Sequence, residues 1–256
     1  MVSCPEPCEI LDTRRLEMDS AKLGISLNSA QLDKFCLYYR ELVCRNSTMN
    51  LTTVTGWDDV VEMHFLDSLS VAGALPSETR AARNFIDIGA GAGFPGIPMK
   101  IAFPELCGTL VDATARKVEF LRDMVAALEL TDMGVRHSRA ETQAHCESVR
   151  EGFDLALARA VAPMPVLAEL TLPFCKVGGL VALHKTAAAA DEIAAAHRAI
   201  ETMGGVIRDI IRTGGDNKVL VVIDKIRSTP ANYPRRPGIP SKRPLLGLAT
   251  SQEPTR

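Results

Sequence analysis

The segment that most constrains this chain is Asp87-Ile88-Gly89-Ala90-Gly91-Ala92-Gly93-Phe94-Pro95-Gly96. Four glycines in eight residues come after a short apolar run, Phe85-Ile86-Asp87-Ile88, and precede a helical stretch. Glycine lets the backbone turn sharply and lets a ligand approach without a β-carbon in the way. A plain strand-to-helix turn has no need of so many. The segment therefore predicts a βα unit whose connecting loop faces a ligand.

Strands and helices keep alternating beyond this loop. A second apolar run ends at Leu110-Val111-Asp112, and a helix carries Val118, Leu121, Val125 and Leu128 on one stripe. Further strands are predicted at Gly134 to His137, Phe153 to Ala158 and Gly179 to Leu183. The Ala-rich stretch from Ala187 to Met203 predicts one helix closed by Gly204-Gly205. Val206 to Ile211 and Val219 to Ile223 flank the turn Gly214-Gly215-Asp216-Asn217 and predict an antiparallel hairpin. The first eighty residues read as helical. Apolar positions Leu32, Phe35, Cys36, Tyr39, Leu42 and Val43 share a face behind Asn28 or Ser29 as cap, and a second helix is predicted from Trp57 to Leu75. The expected fold is Rossmann-like α/β, a mostly parallel sheet with a C-terminal antiparallel pair, preceded by a small helical segment. Ligands bind such sheets beyond the carboxyl ends of the strands. That rule selects Gly89, Asp112, Arg139 to Glu141, Arg159 and His184.

Asp112 lies 21 residues beyond Gly91, where an acid can accept both hydroxyls of a ribose. Nicotinamide dinucleotides and S-adenosylmethionine share that need. Asp87 would repel a pyrophosphate but suits a cationic sulfonium and amino group. Pro95 removes one amide that a phosphate would use. Both features favour S-adenosylmethionine, with a nicotinamide oxidoreductase as the alternative.

The 256 residues carry a net charge of −2, with 46% hydrophobic and 23% charged residues, which excludes general disorder. No run is long and apolar enough for a membrane span, and the start lacks a signal-peptide pattern, so a cytoplasmic protein is expected. Six basic residues and no acid fall between Lys225 and Arg243, a stripe suited to phosphates. A non-catalytic RNA-binding protein is thus a further alternative. The seven cysteines show no two-residue spacing, so no metal site is expected, and Cys4 and Cys8 read as idle thiols. Cys175 reads as core. Residues 159–165 lack an Asp-Pro-Pro-Tyr type of motif for exocyclic amines. Phe94, Trp57 and Tyr233 are the aromatic candidates for stacking on a base.

Eight blocks in one order resemble the RsmG (GidB) family over roughly residues 20 to 245. They are Asn50-Leu51-Thr52-Thr53-Val54, His64-Phe65-Leu66-Asp67-Ser68-Leu69, Gly93-Phe94-Pro95-Gly96-Ile97-Pro98, Val111-Asp112, Lys117-Val118-Glu119-Phe120-Leu121, Ser138-Arg139-Ala140-Glu141, Ala158-Arg159-Ala160-Val161-Ala162 and Tyr233-Pro234-Arg235-Arg236-Pro237-Gly238. The resemblance implies a class I methyltransferase that uses S-adenosylmethionine to methylate N7 of guanine 527 in 16S rRNA. It implies that Gly89, Gly91 and Phe94 line the cofactor loop, that Asp112 and Thr114 meet ribose and adenine, and that Ala140 and Glu141 flank the adenine. Arg159 would stand at the cofactor and substrate mouth as the catalytic residue. Asn50, His64, Arg235, Arg236, Lys242 and Arg243 are the expected RNA contacts. The expected partner is 16S rRNA or the small subunit, and the expected state a monomer. Met63 stands where the family has a basic residue, and His184-Lys185-Thr186 where it has Lys then Gly or Ala. The expected division is a helical segment at 1–80, the methyltransferase domain at 81–228 and a basic, Pro-rich tail at 229–256.

Overall fold

The computed structural model describes residues 11–75, 77, 81–159, 162–214 and 217–247. Ala160, Val161, Gly215, Asp216, Cys4, Cys8 and residues 248–256 lie outside them. Helix α1 is Arg14–Lys22 and α2 is Ser29–Met49. Asn28 caps α2: its side chain accepts from the Gln31 backbone N–H, and the Gln31 side chain accepts from the Asn28 N–H, both at 2.9 Å. Such a cap contributes about 1 kcal/mol. The Gln31 amide also donates to the carbonyls of Ile101 and Ala102, tying α2 to the helix after the glycine loop.

The helix predicted from Trp57 to Leu75 is interrupted. It runs as α3 (Trp57–Val60), a π-helical turn (Val61–Leu66) and α4 (Asp67–Ala74). A wide turn of this kind changes which side chains share a face, and it carries Met63 and His64.

Seven strands come next: β1 (Asn84–Ile88), β2 (Cys107–Asp112), β3 (Met133–His137), β4 (Phe153–Arg159), β5 (Cys175–Thr186), β6 (Gly205–Arg212) and β7 (Lys218–Lys225). Their order is β3-β2-β1-β4-β5-β7-β6. β1 to β5 pair in parallel, and β7 lies antiparallel between β5 and β6. This is the mostly parallel sheet with an antiparallel C-terminal pair that the alternation predicted. The helices between are α5 (Gly96–Ala102), α6 (Ala115–Ala127), α7 (Ala140–Gln143) and α8 (Met164–Thr171). The single helix predicted over Ala187 to Met203 is instead a 3-10 turn (Ala187–Ala189), α9 (Ala190–Ala195) and α10 (His197–Thr202). Both halves pack on α8, so tertiary contacts override the uniform propensity of the alanines.

Alternation along each strand divides the core in two. Phe85, Leu110, Leu157 and Leu220 face the N-terminal helices, where Phe35, Tyr38, Leu42 and Phe65 are buried. Each such side chain contributes roughly 1.5–3 kcal/mol by leaving water. Ile86, Val111, Ala156, Leu183 and Val221 face α8 to α10. Cys175 is buried there, and burial pushes its thiol up to about 12. Beyond β7 the chain returns across α8, on which α11 (Ile239–Lys242) packs. Among the described residues no helix is long and apolar enough to cross a membrane. Nor does any group of three His, Cys, Asp or Glu side chains among them assemble a metal site.

Candidate active site

Parallel pairing brings the carboxyl ends of β1, β2, β4 and β5 to one edge. Register sets Ile88 beside Val111, Asp112 beside His137, and Arg159 beside His184. The glycine loop turns over this edge. Gly89 and Gly91 adopt φ of 73° and 59°. A β-carbon on Gly91 would meet only the Gly89 carbonyl, at 3.7 Å, so this backbone faces open space. At Gly96 a β-carbon would stand 2.9 Å from Asp87 Oδ2, and the Gly96 N–H donates to that oxygen at 2.9 Å.

Asp112 pins the loop from the next strand. Its Oδ2 accepts from Gly91 N–H at 3.0 Å and its Oδ1 from Thr114 N–H at 2.8 Å. Each oxygen keeps a lone pair for a hydroxyl. Thr114 is exposed at the cap of α6. Gly89, Asp112, Lys117, Arg139, Ala140 and Glu141 line a cleft of about 280 Å³. Glu141 is buried, which pushes its pKa up. The Gly238 N–H at 2.9 Å and Arg139 outweigh this and hold it below the usual range.

Asp87 is fully buried, and its Oδ1 has no partner. Burial raises its pKa to about 7, against the opposing Gly96 N–H and Arg159. The set fits S-adenosylmethionine. A carboxylate stands ready for ribose hydroxyls, the loop has no β-carbon at Gly89 and Gly91, and an unpaired buried acid suits an ammonium group.

A second cavity, about 490 Å³, opens on the β4–β5 side. Arg159 is its hub. Nη1 donates to the Met63 carbonyl at 3.0 Å and to Asp67 at 2.9 Å, and the guanidinium lies 4.8 Å above the Phe94 ring. Nη2 lies 3.2 Å from His64 Nδ1. His64 Nδ1 also lies 3.0 Å from the Met63 carbonyl, which already accepts from Arg159 Nη1; arginine only donates, so the Arg159 contact is a hydrogen bond when His64 carries its proton on Nε2. That nitrogen then donates to Thr52 Oγ1 at 2.7 Å. Burial and the Arg159 charge lower the His64 pKa to about 4, so the ring is neutral at pH 7. Asp67 also meets Lys218 at 3.2 Å. Burial alone would raise the Asp67 pKa, but His184, Arg159 and Lys218 hold it down.

The structure thus gathers Gly89, Asp112, Ala140 and Glu141 in one cleft and sets His64 and Arg159 in the other. His64 and Asp67 stand three residues apart. Both bind Arg159, through the turn that the π segment rearranges. Phe94 is 5% exposed, packed between Tyr38 and His64 at ring distances of 5.3 and 4.6 Å, so it braces the loop. Trp57 is tied by its indole N–H to the Asp12 carbonyl and packs on Tyr39.

Tyr38 is the residue that sequence reading missed. Its hydroxyl donates to the Ala92 carbonyl at 2.5 Å and supports the loop from α2. The spacing Phe35-Tyr38-Leu42 is its signal. Arg235 spends its fork on the buried Glu169, with contacts of 2.9 and 2.6 Å. Arg236, Lys242 and Arg243 are exposed, as is Asn50, the left-handed cap of α2. None of these four lines either cavity.

Residues 31–220 match the family GidB, rRNA small subunit methyltransferase G. The chain is 47% identical over 229 residues to a protein named ribosomal RNA small subunit methyltransferase G from Lacticaseibacillus paracasei, covering 88% of this chain and 94% of that one. It is 44% identical over 225 residues to the protein of that name from Leuconostoc citreum, covering 87% and 94%. The protein of that name from Dehalococcoides mccartyi is 44% identical over 228 residues, covering 88% and 96%. Among solved structures, an MtNAS mutant matches with a TM-score of 0.52 at 15% identity, over 83% of this chain and 86% of that one. An MtNAS mutant in complex with S-adenosylmethionine gives 0.51 at 14% identity, over 83% and 77%. Likeness at such identity is one of fold.

Proposed function

This chain belongs to the GidB family, rRNA small subunit methyltransferase G, and we propose that it transfers a methyl group from S-adenosylmethionine to N7 of guanine 527 in 16S rRNA. The observation that carries this reading is a pair of cavities at the carboxyl edge of the sheet, one over Asp112 with room for a nucleoside and the other, lined by Arg159, large enough for a base turned out of its stack.

S-adenosylmethionine supplies a methyl group activated by its sulfonium. The protein's part is to bind and align. Asp112 accepts the ribose hydroxyls while holding Gly91 and Thr114, and Glu141 walls the adenine. The free Oδ1 of Asp87 takes the amino group and is ionised by it. Guanine N7 has an in-plane lone pair and no proton, so no general base is required. His64 fits this, being neutral with both ring nitrogens engaged. Three of the N–H donors of Arg159 are spent on Met63, Asp67 and His64. The remainder can hold guanine O6 and leave N7 free for attack. Holding donor and acceptor in line is worth roughly 7–11 kcal/mol in well-oriented systems. Arg236, Lys242 and Arg243 track RNA phosphates from the strap after β7, whereas Arg235 anchors the strap to α8.

The test is calorimetric titration with S-adenosylmethionine and with NAD, followed by labelled methyl transfer to small subunits from a strain lacking the modification. Binding of S-adenosylmethionine alone, with label entering the 16S rRNA, is the expected result. Binding of NAD in its place would overturn the reading.

A further inference from the structure

When guanine N7 faces the glycine-loop cleft, the opposite edge of the purine, with N1–H and N2–H₂, faces the far wall of the second cavity. That wall is made by β5 and α9. Glu192 of α9 lines it, and both of its protein contacts fall on one oxygen: Oε2 accepts from the Met164 backbone N–H at 2.8 Å and meets Lys185 at 2.6 Å. Oε1 has no protein partner among the described residues. Burial pushes the Glu192 pKa up, but Lys185 and the Met164 N–H hold it below the usual range, so it is ionised.

His184 lines the same cavity and is 6% exposed. Its Nε2 lies 2.9 Å from the Asp67 carbonyl, which only accepts, so Nε2 carries the proton and Nδ1 is an acceptor. That Nδ1 is buried without a partner. A buried acceptor left unpaired is costly and marks a place where a donor is missing. His184 leaves the face of β5 opposite α9 and turns toward Asp67, so Glu192 Oε1 is the acceptor that α9 sets on the cavity wall without a protein donor. Guanine offers two adjacent donors on the edge in question. Adenine offers a lone pair at N1, which a carboxylate repels.

We infer that Glu192 Oε1 reads the N1–H and N2–H₂ edge of the target guanine and so restricts methyl transfer to that base. This rests on the guanine-N7 reading above. Lys185, held by the Ala162 carbonyl at 3.2 Å and by Glu192, fixes the carboxylate and is a positioning residue.

The experiment uses small subunits reconstituted with 16S rRNA carrying guanine or inosine at the target, inosine lacking the N2 amine. The wild type should favour guanine in kcat/KM by roughly tenfold to a hundredfold, the discrimination expected of a paired contact to a base edge. In Glu192→Gln the amide oxygen stays on the Met164 N–H and Lys185, and the NH₂ turns a donor toward the cavity. The preference should then fall to within about threefold by loss of that contact, with S-adenosylmethionine affinity and melting temperature unchanged. Equal loss on guanine and inosine in Glu192→Gln, or an unchanged ratio, overturns the assignment while leaving the parent reading intact. A wild type that transfers no methyl to guanine subunits overturns both.

Discussion

Replacing Asp112 with Asn keeps size and shape but exchanges one acceptor oxygen for a donor. The native carboxylate accepts two backbone N–H groups, from Gly91 at 3.0 Å and from Thr114 at 2.8 Å. The amide can satisfy only one, and its NH₂ then opposes the other. A hydrogen bond to a charged acceptor contributes about 1.5–3 kcal/mol. Loss of one such bond to the loop, present with or without ligand, lowers stability by that amount at most. For a domain of this size that is a fall in melting temperature of about 2–4 °C per kcal/mol. Binding suffers separately, because a ribose hydroxyl meets a neutral group instead of a carboxylate, at roughly half the strength. With the loop also displaced, the Kd for S-adenosylmethionine should rise by about tenfold to a hundredfold, the equivalent of about 1.4–2.8 kcal/mol. Isothermal titration beside a melting curve separates the two effects. A lowered melting temperature with a Kd within threefold of wild type would refute the ribose contact and leave Asp112 as a strut.

Other perturbations separate the remaining roles. Asp87 has a folded-state pKa of about 7, above its ordinary value, so its contribution to stability without ligand is complete below about pH 4 and is lost as pH rises toward 7. If an ammonium ionises it, cofactor binding should release one proton near pH 6 and tighten about fivefold from pH 6 to pH 7. Calorimetry in two buffers checks this, Asp87→Asn should abolish it, and pH-independent binding by the wild type would contradict it. Arg159→Lys keeps the charge but cannot reach Met63, Asp67 and His64 together. Methyl transfer should fall by about a hundredfold or more, with the Kd for S-adenosylmethionine changing little, and a change confined to the Kd would contradict its place in the second cavity. Arg235→Ala leaves the buried Glu169 with the residue-235 backbone N–H but no countercharge, at a cost of about 3–5 kcal/mol, visible as a lowered melting temperature. Arg236→Ala with Lys242→Ala should leave melting unchanged and weaken RNA binding, with a shallower salt dependence, and an unchanged slope would count against the phosphate contacts.

The parts legible in the sequence are those where backbone conformation dictates residue type. The glycines of 89–96 and the short apolar runs alternating with helices foretold the sheet, its carboxyl edge and the position of Asp112. The antiparallel pair was legible because only a short turn separates β6 from β7. Less was legible where tertiary contacts decide. The π turn at Val61–Leu66 has no Gly or Pro to announce it, yet it sets Met63, His64 and Asp67 around Arg159. The alanine stretch reads as continuous helix and is divided by its packing on α8. The basic run from Lys225 to Arg243 reads as one stripe suited to phosphates. The fold divides its work: Lys225 is buried against the carbonyls of Leu172 and Met203, Arg235 is tied to Glu169, and Arg236, Lys242 and Arg243 stay exposed. Composition cannot show that division, because it depends on acids that arrive from distant segments.

The most direct test of the account is to map the base that receives the label. Small subunits from a strain lacking the modification are incubated with the protein and labelled S-adenosylmethionine, and the rRNA is then cleaved chemically at N7-methylated guanines. The account predicts one cleavage, at guanine 527. Label on another atom, or spread over several bases, would contradict it.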